Sequence, residues 1–595
     1  MTRSPLPSLR KRLEGRLWLS DLPAMLGWAA LVGVLGAFST IGFHEGIHLL
    51  QRAFTPSPGA IVAVTRTLPW YDRLLVPMAG GVIAGACLWA AARIQAGANS
   101  DYMEAVAIGD GKLSIRQGLL RSLASLNTVA SGGSIGREGA MVHLASLIAS
   151  AIGRFACFGT ARLRLLVACG AAAGVSSAYG APIAGAMFVA EIILGTMAMQ
   201  SLGPLLVAAA AANITMRLTG VYHPNYEMSH VPLITAFEIV PFLALGVLTG
   251  IAAPLFLKFL ALIKALFKKT ALPLPARLGL GGLLLGCLLL FMPDVAGNGY
   301  SVVHSLLNTR WTWYAVLIVL MCKVLATALT VGSGAVGGVF TPSIFVGAAF
   351  GTLFGQIMMW LWPATVSHPY LYTVVGMGAF LGAATSAPLM AILMIFEMTL
   401  SYQIVLPLML ACVVAYFISR AVAQVAMYNV TLLRERDVVL RRQLRNTALA
   451  DLIRPADTVV VTTALVSEAL RMFLDYPVKY LYVVDENNVY QGVIAQQDLT
   501  RLLLSDTDAQ HRCAGDVLRL DFVKTLHPDM ALDEAQTYFV NFQGERLPVV
   551  SREDPHRLLG VVYKSSLLER YCALKKSLDA SGEVMLDVEA PRHSG

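Results

Sequence analysis

Residues 131–140, with the sequence SGGSIGREGA, form a glycine-rich stretch that carries one arginine and one glutamate between two apolar segments. Burying an ionised carboxylate at membrane depth is costly, so acids there are rare and usually functional. Glycines permit a tight turn that exposes backbone N–H groups, and a helix beginning near Gly139 would add its positive dipole end. The stretch predicts an anion site, in which Glu138 is the anion when no other is bound. A packing turn with a snorkelling Arg137–Glu138 pair is the alternative.

A second stretch whose residues could perform chemistry is HEGIH at residues 44–48. On a helix, His44 and His48 share one face and could bind zinc, with Glu45 as a general base. An intramembrane metalloprotease is therefore an alternative from another class of protein. Asp294 is the best candidate for a third ligand, but the residues around it resemble no ligand motif, and a polar helix end near the outer membrane face is the favoured interpretation.

The composition indicates a membrane protein. The chain has 595 residues, of which 56% are hydrophobic and 14% are charged, and its mean hydropathy is +0.64. Apolar segments recur from about residue 22 to residue 426, and several are shorter than the roughly 20 residues that span a bilayer or are broken by glycine and proline. Broken helices are typical of a transporter or channel interior. The eight cysteines are scattered, which favours neither a disulfide framework nor a metal site.

Basic residues flank the apolar region on both sides. By the positive-inside rule, both clusters belong in the cytoplasm, so both termini of an integral multi-pass membrane protein are expected there. The net charge of +8 then requires no nucleic-acid partner. The N-terminus shows no cleavage site typical of a signal peptide. The two clusters are Arg3, Arg10, Lys11, Arg12 and Arg16, and Arg434, Arg436, Arg441, Arg442 and Arg445.

The apolar region repeats internally. Residues 170–192 align without a gap on residues 376–398, and the two segments share an Ala-Pro pair and a later glutamate, which is Glu191 in one and Glu397 in the other. Residues 131–140 align on residues 333–342 and place Glu138 opposite Phe340. Two halves with matched broken segments predict a binding site between them, near the middle of the membrane.

Four short motifs in this region resemble those of the ClC family of chloride channels and chloride/proton exchangers. Residues 136–140, GREGA, resemble the family's GREGP motif, and residues 337–342, GGVFTP, resemble GxFxP. Residues 297–300, GNGY, resemble a glycine motif between the halves, and residues 426–428, AMY, fall where the last membrane helix offers a tyrosine to the pore. Within the family, the sequence is most similar to the bacterial ClcB-like branch.

The resemblance implies the ClC fold: an all-α polytopic membrane protein with inverted repeats and broken helices. It also implies a homodimer with one chloride pathway per subunit, no enzymatic activity, and neither a metal nor a cofactor. Glu138 would be the gate, whose carboxylate competes with chloride for one position. The implied anion-binding residues are Ser100, Gly136, Arg137, Glu138, Val339, Phe340 and Tyr428. An interfacial anchor is the alternative role for Tyr428.

The sequence departs from the family pattern in two places. The family's first motif, GSGIP, falls at residues 99–103, where Ser100 alone survives and Asp101 is new. Ile192 stands where exchangers usually carry a glutamate that faces the cytoplasm, and isoleucine cannot carry a proton. Because Glu191 has a counterpart in the repeat, a structural role is favoured for it over a proton role. The sequence therefore predicts a voltage- or pH-gated channel, with a chloride/proton antiporter of the same fold as the alternative.

The remaining chain changes character and resembles a tandem pair of CBS domains. Each unit is predicted as helix–strand–strand–helix, including the strand at residues 480–484 and the helix around residues 467–473. Asp498 is the weak candidate for binding the ribose of an adenine nucleotide, and a structural, dimer-stabilising tail is the favoured alternative. The predicted division is a basic tail at 1–20, a membrane domain at 21–430, a charged connector at 431–448, CBS units at 449–508 and 509–575, and a disordered end at 576–595.

Overall fold

The computed structural model describes residues 21–54, 59–94, 101–221, 226, 236–363, 368–423, 425–428, 440, 444–445, 447–505, 509–520, 523–540, 542, 544–553 and 557–580. Two compact units, Met1–Leu432 and Leu433–Gly595, make up the chain. The predicted basic tail and Ser100 lie outside the described residues, as do most of the connector and the chain beyond residue 580. The last helix ends at Ala580, so it enters the segment predicted to be disordered.

The first unit is helical throughout its described part, and its first half contains nine α-helices. They are α1 (Asp21–Phe54), α2 (Ile61–Thr67), α3 (Trp70–Ala92), α4 (Tyr102–Ala107), α5 (Ile115–Ala130), α6 (Glu138–Phe155), α7 (Thr160–Tyr179), α8 (Pro182–Phe188) and α9 (Met199–Leu218). Helix α8 continues into a π-helical turn, Val189–Leu194.

The second half of the first unit contains eight α-helices within its described part. They are α10 (Ile239–Lys269), α11 (Leu274–Phe291), α12 (Tyr300–Asn308), α13 (Trp313–Gly332), α14 (Phe340–Leu361), α15 (Pro369–Thr385), α16 (Pro388–Thr399) and α17 (Val405–Val422). Across both halves, nine helices of the described chain are long and apolar enough to cross a membrane. The prediction of a helical polytopic membrane protein is thereby confirmed.

Two apolar helices are too short to span, and they occupy equivalent places in the two halves. Pro182–Leu194 follows α7, and Pro388–Thr399 follows α15. The preceding helix ends in each case at a left-handed residue, Gly180 with φ 70° or Ser386 with φ 57°. A left-handed residue closes a helix, and proline, which lacks an N–H, suits the first position of the next one. These are the broken helices that the sequence repeat predicts.

Helices α14 and α15 pack through glycine. A Cβ atom on Gly376 would lie 2.6 Å from the carbonyl oxygen of Gly347, so no side chain fits between the two backbones. Small residues at such crossings let helices approach closely where lipid gives no hydrophobic drive for association. This close packing fixes α14 against α15, and thereby the position of the loop that precedes α14.

The second unit has the CBS pattern that the sequence predicts. Its elements are β1 (Val459–Val461), α18 (Val466–Asp475), β2 (Tyr480–Val484), β3 (Tyr490–Ala495), α19 (Gln496–Ser505), α20 (Leu532–Val540), β4 (Arg546–Val550), β5 (Leu558–Tyr563) and α21 (Lys564–Ala580). β1 pairs with β2 in parallel, and β2 with β3 and β4 with β5 are antiparallel. Two units with the order helix–strand–strand–helix confirm the tandem arrangement.

Candidate functional site

The glycine-rich loops of the two halves meet in the centre of the first unit. Gly136 N–H donates to Gly338 O at 2.7 Å, and Gly338 N–H donates to Gly136 O at 2.9 Å. These two glycines are equivalent positions in the sequence repeat. Two residues later in each loop, Glu138 begins α6 and Phe340 begins α14. The two helix N-termini therefore meet at one place, where their unpaired N–H groups and positive dipole ends add together.

A cavity of about 200 Å³ opens beside these N-termini. Its wall includes the first residues of both helices, the start of α4 with the residue before it, one face of α5, and a group of aromatic rings. The lining residues are Asp101, Tyr102, Met103, Arg121, Ser122, Glu138, Gly139, Ala140, Val142, His143, Val175, Tyr179, Phe188, Val336, Gly337, Gly338, Phe340 and Tyr428. Since helix N-termini bind anions through their N–H groups, the cavity has the features of an anion site.

The Glu138 side chain is buried, with 4% of its surface exposed, and its carboxylate lies against the paired loops. A Cβ atom at Gly136 would overlap Glu138 Oε2 and would lie 2.9 Å from Gly338 O, so only glycine fits there. The hydroxyl groups of Tyr300 and Thr341 lie beside the carboxylate. Neither carboxylate oxygen has a well-formed hydrogen bond within the described residues. The carboxylate therefore lies beside two hydroxyl groups without a well-formed hydrogen bond to either.

Aromatic side chains enclose the cavity next to Glu138. The ring of Phe340 lies 5.1 Å from that of Tyr179 and 6.3 Å from that of Phe188. Phe188 in turn meets Tyr428 edge to face at 5.7 Å. The segment that carries Tyr428 is fixed by a hydrogen bond from Met427 N–H to Ala384 O, 2.9 Å long. Edge-to-face contacts of this kind hold rings in defined orientations, so the Tyr428 hydroxyl has a defined place at the cavity.

The structure brings together only some of the predicted anion-binding residues. Glu138, Phe340 and Tyr428 line the cavity, whereas Gly136, Arg137 and Val339 are not among the described residues of its wall. The guanidinium of Arg137 lies 3.4 Å from His44 Nδ1 and 5.7 Å from the centre of the Tyr300 ring. Neighbouring residues of a helix point about 100° apart, as 3.6 residues make one turn, so Arg137 and Glu138 face different surroundings.

The cavity also contains residues that sequence reasoning missed. Arg121 and Ser122 lie in α5, which carries several other polar residues, His143 lies in a mostly apolar stretch of α6, and Tyr179 ends a helix rich in alanine. Tyr179 Oη lies 3.1 Å from Thr341 Oγ1, which links the end of α7 to the first turn of α14. The signal that could have found Arg121 and Ser122 is their helical spacing from Gly118, which places all three residues on one face of α5.

The two repeat-related glutamates cap each other's helices. Glu397 accepts hydrogen bonds from Ile183 N–H at 3.0 Å and Ala184 N–H at 2.8 Å, at the start of α8. Glu191 accepts from Leu389 N–H at 3.3 Å and Met390 N–H at 2.7 Å, at the start of α16. A carboxylate at a helix N-terminus satisfies orphan N–H groups and complements the dipole. The geometry supports the structural role that the sequence repeat indicates for Glu191, beside the buried Ile192.

Glu191→Gln and Glu397→Gln are each expected to lower the stability of the membrane unit. Each substitution removes the charge from a pair of charge-assisted hydrogen bonds, and one such bond is worth about 1.5–3 kcal/mol. Thermal unfolding of the detergent-purified protein measures the effect as a lower apparent melting temperature. Glu45→Gln, at an exposed position of α1, is the matched control. An unchanged melting temperature in both cap variants would show that these carboxylates do not stabilise the fold.

The potential zinc ligands are engaged elsewhere. His44 lies next to the Arg137 guanidinium, and Asp294 Oδ1 lies 2.5 Å from Arg66 Nη2. The guanidinium groups beside His44 and Asp294 would repel a zinc ion. Across the part of the chain that the structure describes, no three His, Cys, Asp or Glu side chains are grouped so that they could hold a metal. These contacts favour a transport site over a metalloprotease site.

Asp498 of the second unit is paired with an arginine. Arg519 Nη2 donates to Asp498 Oδ1 at 2.6 Å, and Arg519 Nε lies 2.5 Å from Asp498 Oδ2. The hydrogen-bonded carboxylate raises the pKa of the Arg519 guanidinium. A separate cavity of about 390 Å³ is lined by residues 451–454, from the first CBS match, by Ser566, Glu569 and Arg570, from the second, and by Ala573, just beyond it. The carboxylate predicted to hold a ribose is therefore already bound within the protein.

Two helix N-termini, one from each half of the repeat, meet at one cavity. This arrangement is typical of a membrane protein that binds and transports anions. Residues 79–420 match the sequence profile described as voltage gated chloride channel, and residues 449–505 and 514–572 match that of the CBS domain. The chain belongs to the voltage-gated chloride channel family and carries a CBS pair.

Among relatives, the chain is 50% identical over 422 residues to a protein named "Putative chloride channel protein ClcB-like" from Ralstonia nicotianae (strain ATCC BAA-1114 / GMI1000), covering 70% of this chain and 98% of that protein. The fold is similar to a slow cyanobacterial Cl⁻/H⁺ antiporter, with a TM-score of 0.60 and 23% identity over 70% of this chain and 98% of the other. A eukaryotic CLC transporter also matches, with a TM-score of 0.60 and 19% identity over 94% and 98% of the two chains. The second similarity covers 94% of this chain, so the likeness in fold extends beyond the membrane unit.

Proposed function

We propose that this protein conducts chloride passively across the membrane, with Glu138 as its gate. The observation that carries the proposal is the meeting of the α6 and α14 N-termini at one cavity, with the Glu138 carboxylate folded against the paired loops. Partial positive charge from N–H groups attracts a dehydrated anion without the tight hold of a full charge. Relatives with the words "chloride channel" in their names support chloride as the physiological anion.

The gate operates by competition in this proposal. The ionised Glu138 carboxylate occupies the place that an anion would take at the helix N-termini. When a proton neutralises it, the attraction of the dipoles is lost, and the side chain yields the place to chloride. The absence of well-formed hydrogen bonds to either oxygen among the described residues lowers the cost of that movement. Acid on the side from which the proton arrives therefore opens the route.

An exchanger of the same fold is the second candidate, because the fold is shared with a Cl⁻/H⁺ antiporter. Two observations favour the channel. Ile192 is buried with 1% exposure where exchangers usually carry a proton-accepting glutamate, and the neighbouring Glu191 is engaged in capping α16. Transport rather than catalysis is the proposed role of the cavity in either case.

Chloride efflux from liposomes tests the proposed function. Purified full-length protein is reconstituted into liposomes loaded with potassium chloride, and valinomycin is added so that potassium can follow the anion. We expect fast efflux with the protein and slow efflux from protein-free liposomes. Efflux no faster than the protein-free rate, from protein that remains folded, would reject the proposal.

Removing the Tyr428 hydroxyl is expected to weaken chloride binding. A hydrogen bond to a charged group is worth about 1.5–3 kcal/mol, which corresponds to roughly 10- to 150-fold in affinity. Tyr428→Phe keeps the ring that packs on Phe188, so calorimetric titration with chloride measures the hydroxyl alone. Ser100→Ala is expected to act in the same direction. Tyr314→Phe, at an exposed position, is the control. Equal affinities in parent and Tyr428→Phe would remove the tyrosine from the site.

We propose a homodimer for the assembly and the bacterial inner membrane for the location, with both termini in the cytoplasm. The resemblance to the ClC family supports the dimer, and the basic clusters on both sides of the apolar region support the orientation by the positive-inside rule. Each subunit would then contain its own cavity and conduct independently.

The CBS pair is proposed to support the structure rather than to sense an adenine nucleotide, because Asp498 is already paired with Arg519. We expect millimolar ATP or AMP to leave the apparent melting temperature of the full chain unchanged, since a ligand that binds the folded state raises it. A saturable increase that is lost in Asp498→Ala would instead establish a nucleotide site.

A further inference from the structure

Lys323 on α13 is a fully buried cation of the membrane unit, and it is not among the described residues of the cavity wall. Its ammonium Nζ donates to Val295 O at 3.0 Å and to Gly297 O at 2.6 Å. The centre of the Phe345 ring lies 5.2 Å from it. Among the described residues, the ammonium has no carboxylate partner. An ionisable group at membrane depth is costly and usually functional, so the groups that it holds indicate its role.

The two carbonyls belong to the segment that joins α11 to α12. Gly297 N–H donates to Gly132 O at 3.0 Å, which ties this segment to the glycine-rich loop that precedes α6. Gly299, with φ 94°, then leads into α12, which begins at Tyr300. A Cβ atom at Gly299 would lie 2.5 Å from Phe345 Cδ2, so the turn closes directly on the ring beside the ammonium. The path of the chain into α12 is therefore fixed by the ammonium, by the Phe345 ring and by the first-half loop.

Tyr300 follows this turn, and its side chain reaches the gate. Its hydroxyl lies beside the Glu138 carboxylate. Its ring lies 5.7 Å from the Arg137 guanidinium and 5.8 Å from the Tyr226 ring. The hydroxyl is buried and has no well-formed hydrogen bond within the described part of the chain. A hydroxyl that can donate to a carboxylate favours its ionised form, so the place of Tyr300 bears on the pH at which Glu138 takes up a proton.

We propose that Lys323 is a positioning residue of the gate, which holds the carbonyls of residues 295 and 297, keeps the Tyr300 hydroxyl beside Glu138 and thereby sets the pH at which the gate opens. A lysine suits this task because one ammonium can donate to both carbonyls at once. The inference rests on the proposed function, because it takes Glu138 to be the gate. The charged and titratable side chains that face Glu138 are Arg137, Tyr179, Tyr226, Tyr300 and Tyr428.

Chloride efflux from liposomes, measured against pH with the full-length protein, tests the proposal. Lys323→Met removes the ammonium from a side chain of similar length, and we expect the midpoint of the flux–pH curve to move to higher pH by about one unit. That shift is about tenfold in protonation, the effect of one lost hydrogen bond to a charged group. Tyr300→Phe should give the same shift, and the double variant should shift no further, because both changes remove one interaction.

Two further variants separate positioning from a general loss of stability. Lys323→Arg, which keeps the charge and the N–H donors, should retain the parent midpoint. Lys258→Met, which makes the same substitution at a half-buried lysine of α10, is the matched control and should also retain it. A parent midpoint in Lys323→Met, or a further shift of similar size in the double variant, would overturn the inference. Where Lys323→Met does not fold, Lys323→Gln takes its place in every comparison.

The crystal structure of full-length Lys323→Met gives a readout that does not depend on flux. We expect residues 295–299 to be displaced and Tyr300 Oη to have moved away from the Glu138 carboxylate. Tyr300 in its parent position would overturn this inference and leave the proposed function standing. A parent whose flux does not vary with pH would reject the proposed gate and this inference together.

Discussion

Chloride flux through Glu138→Gln is expected to be as fast at neutral pH as parent flux is in acid, and to vary little with pH. Glutamine reproduces the shape of the protonated side chain and has no charge to be held at the helix N-termini. In the parent, protons neutralise the carboxylate as pH falls, so parent flux should rise towards acid. In the variant, the uncharged side chain leaves the anion position open at every pH.

The measurement is the rate of chloride efflux from liposomes between about pH 4.5 and pH 8. Glu138→Ala should behave like Glu138→Gln, because both remove the charge. Glu104→Gln, at an exposed position of α4, should keep the parent profile. Identical pH profiles in the parent and both Glu138 variants would exclude Glu138 as the gate, even though its carboxylate lies at the cavity.

The repeat is the part of the architecture that the sequence determines most fully. The alignment of residues 131–140 on 333–342 places Gly136 opposite Gly338, and these two residues are hydrogen bonded to each other in the structure. The shared glutamates become reciprocal helix caps. The Ala-Pro pairs mark the starts of the short helices α8 and α16. Gly, Pro and a buried acid carry strong local constraints, so these features are readable from one chain.

The cavity wall is less predictable because packing, not local sequence, brings it together. His143 and Ser122 come from different helices, His143 from a mostly apolar stretch of α6 and Ser122 from the more polar α5. Only the contact between α5 and α6, close enough that a Cβ at Gly118 would lie 2.8 Å from the imidazole, makes them neighbours. The role of Arg137 as an anion ligand stays a prediction. Its motif is recognisable in the sequence, but the contacts of its side chain with His44 and Tyr300 could be seen only in the structure.

The second large effect concerns protons. A coupled exchanger must deliver a proton to Glu138 through an apolar interior, and a titratable side chain on the inner side makes that delivery far easier. Ile192 offers no such group at the family's usual place, and Glu191 is committed to α16 by two hydrogen bonds. We therefore expect chloride to flow down its gradient with little or no movement of protons against theirs.

Passive conduction gated by Glu138 is most directly tested by following chloride and internal pH together in the same liposomes. A chloride gradient is imposed at equal internal and external pH, and potassium with valinomycin clamps the voltage. We predict rapid chloride movement down its gradient with no chloride-driven change in internal pH. Uphill proton transport in the parent, lost in Glu138→Ala, would contradict this account and establish a coupled exchanger, with Glu191 or a water path past Ile192 as the next candidates for the inner proton route.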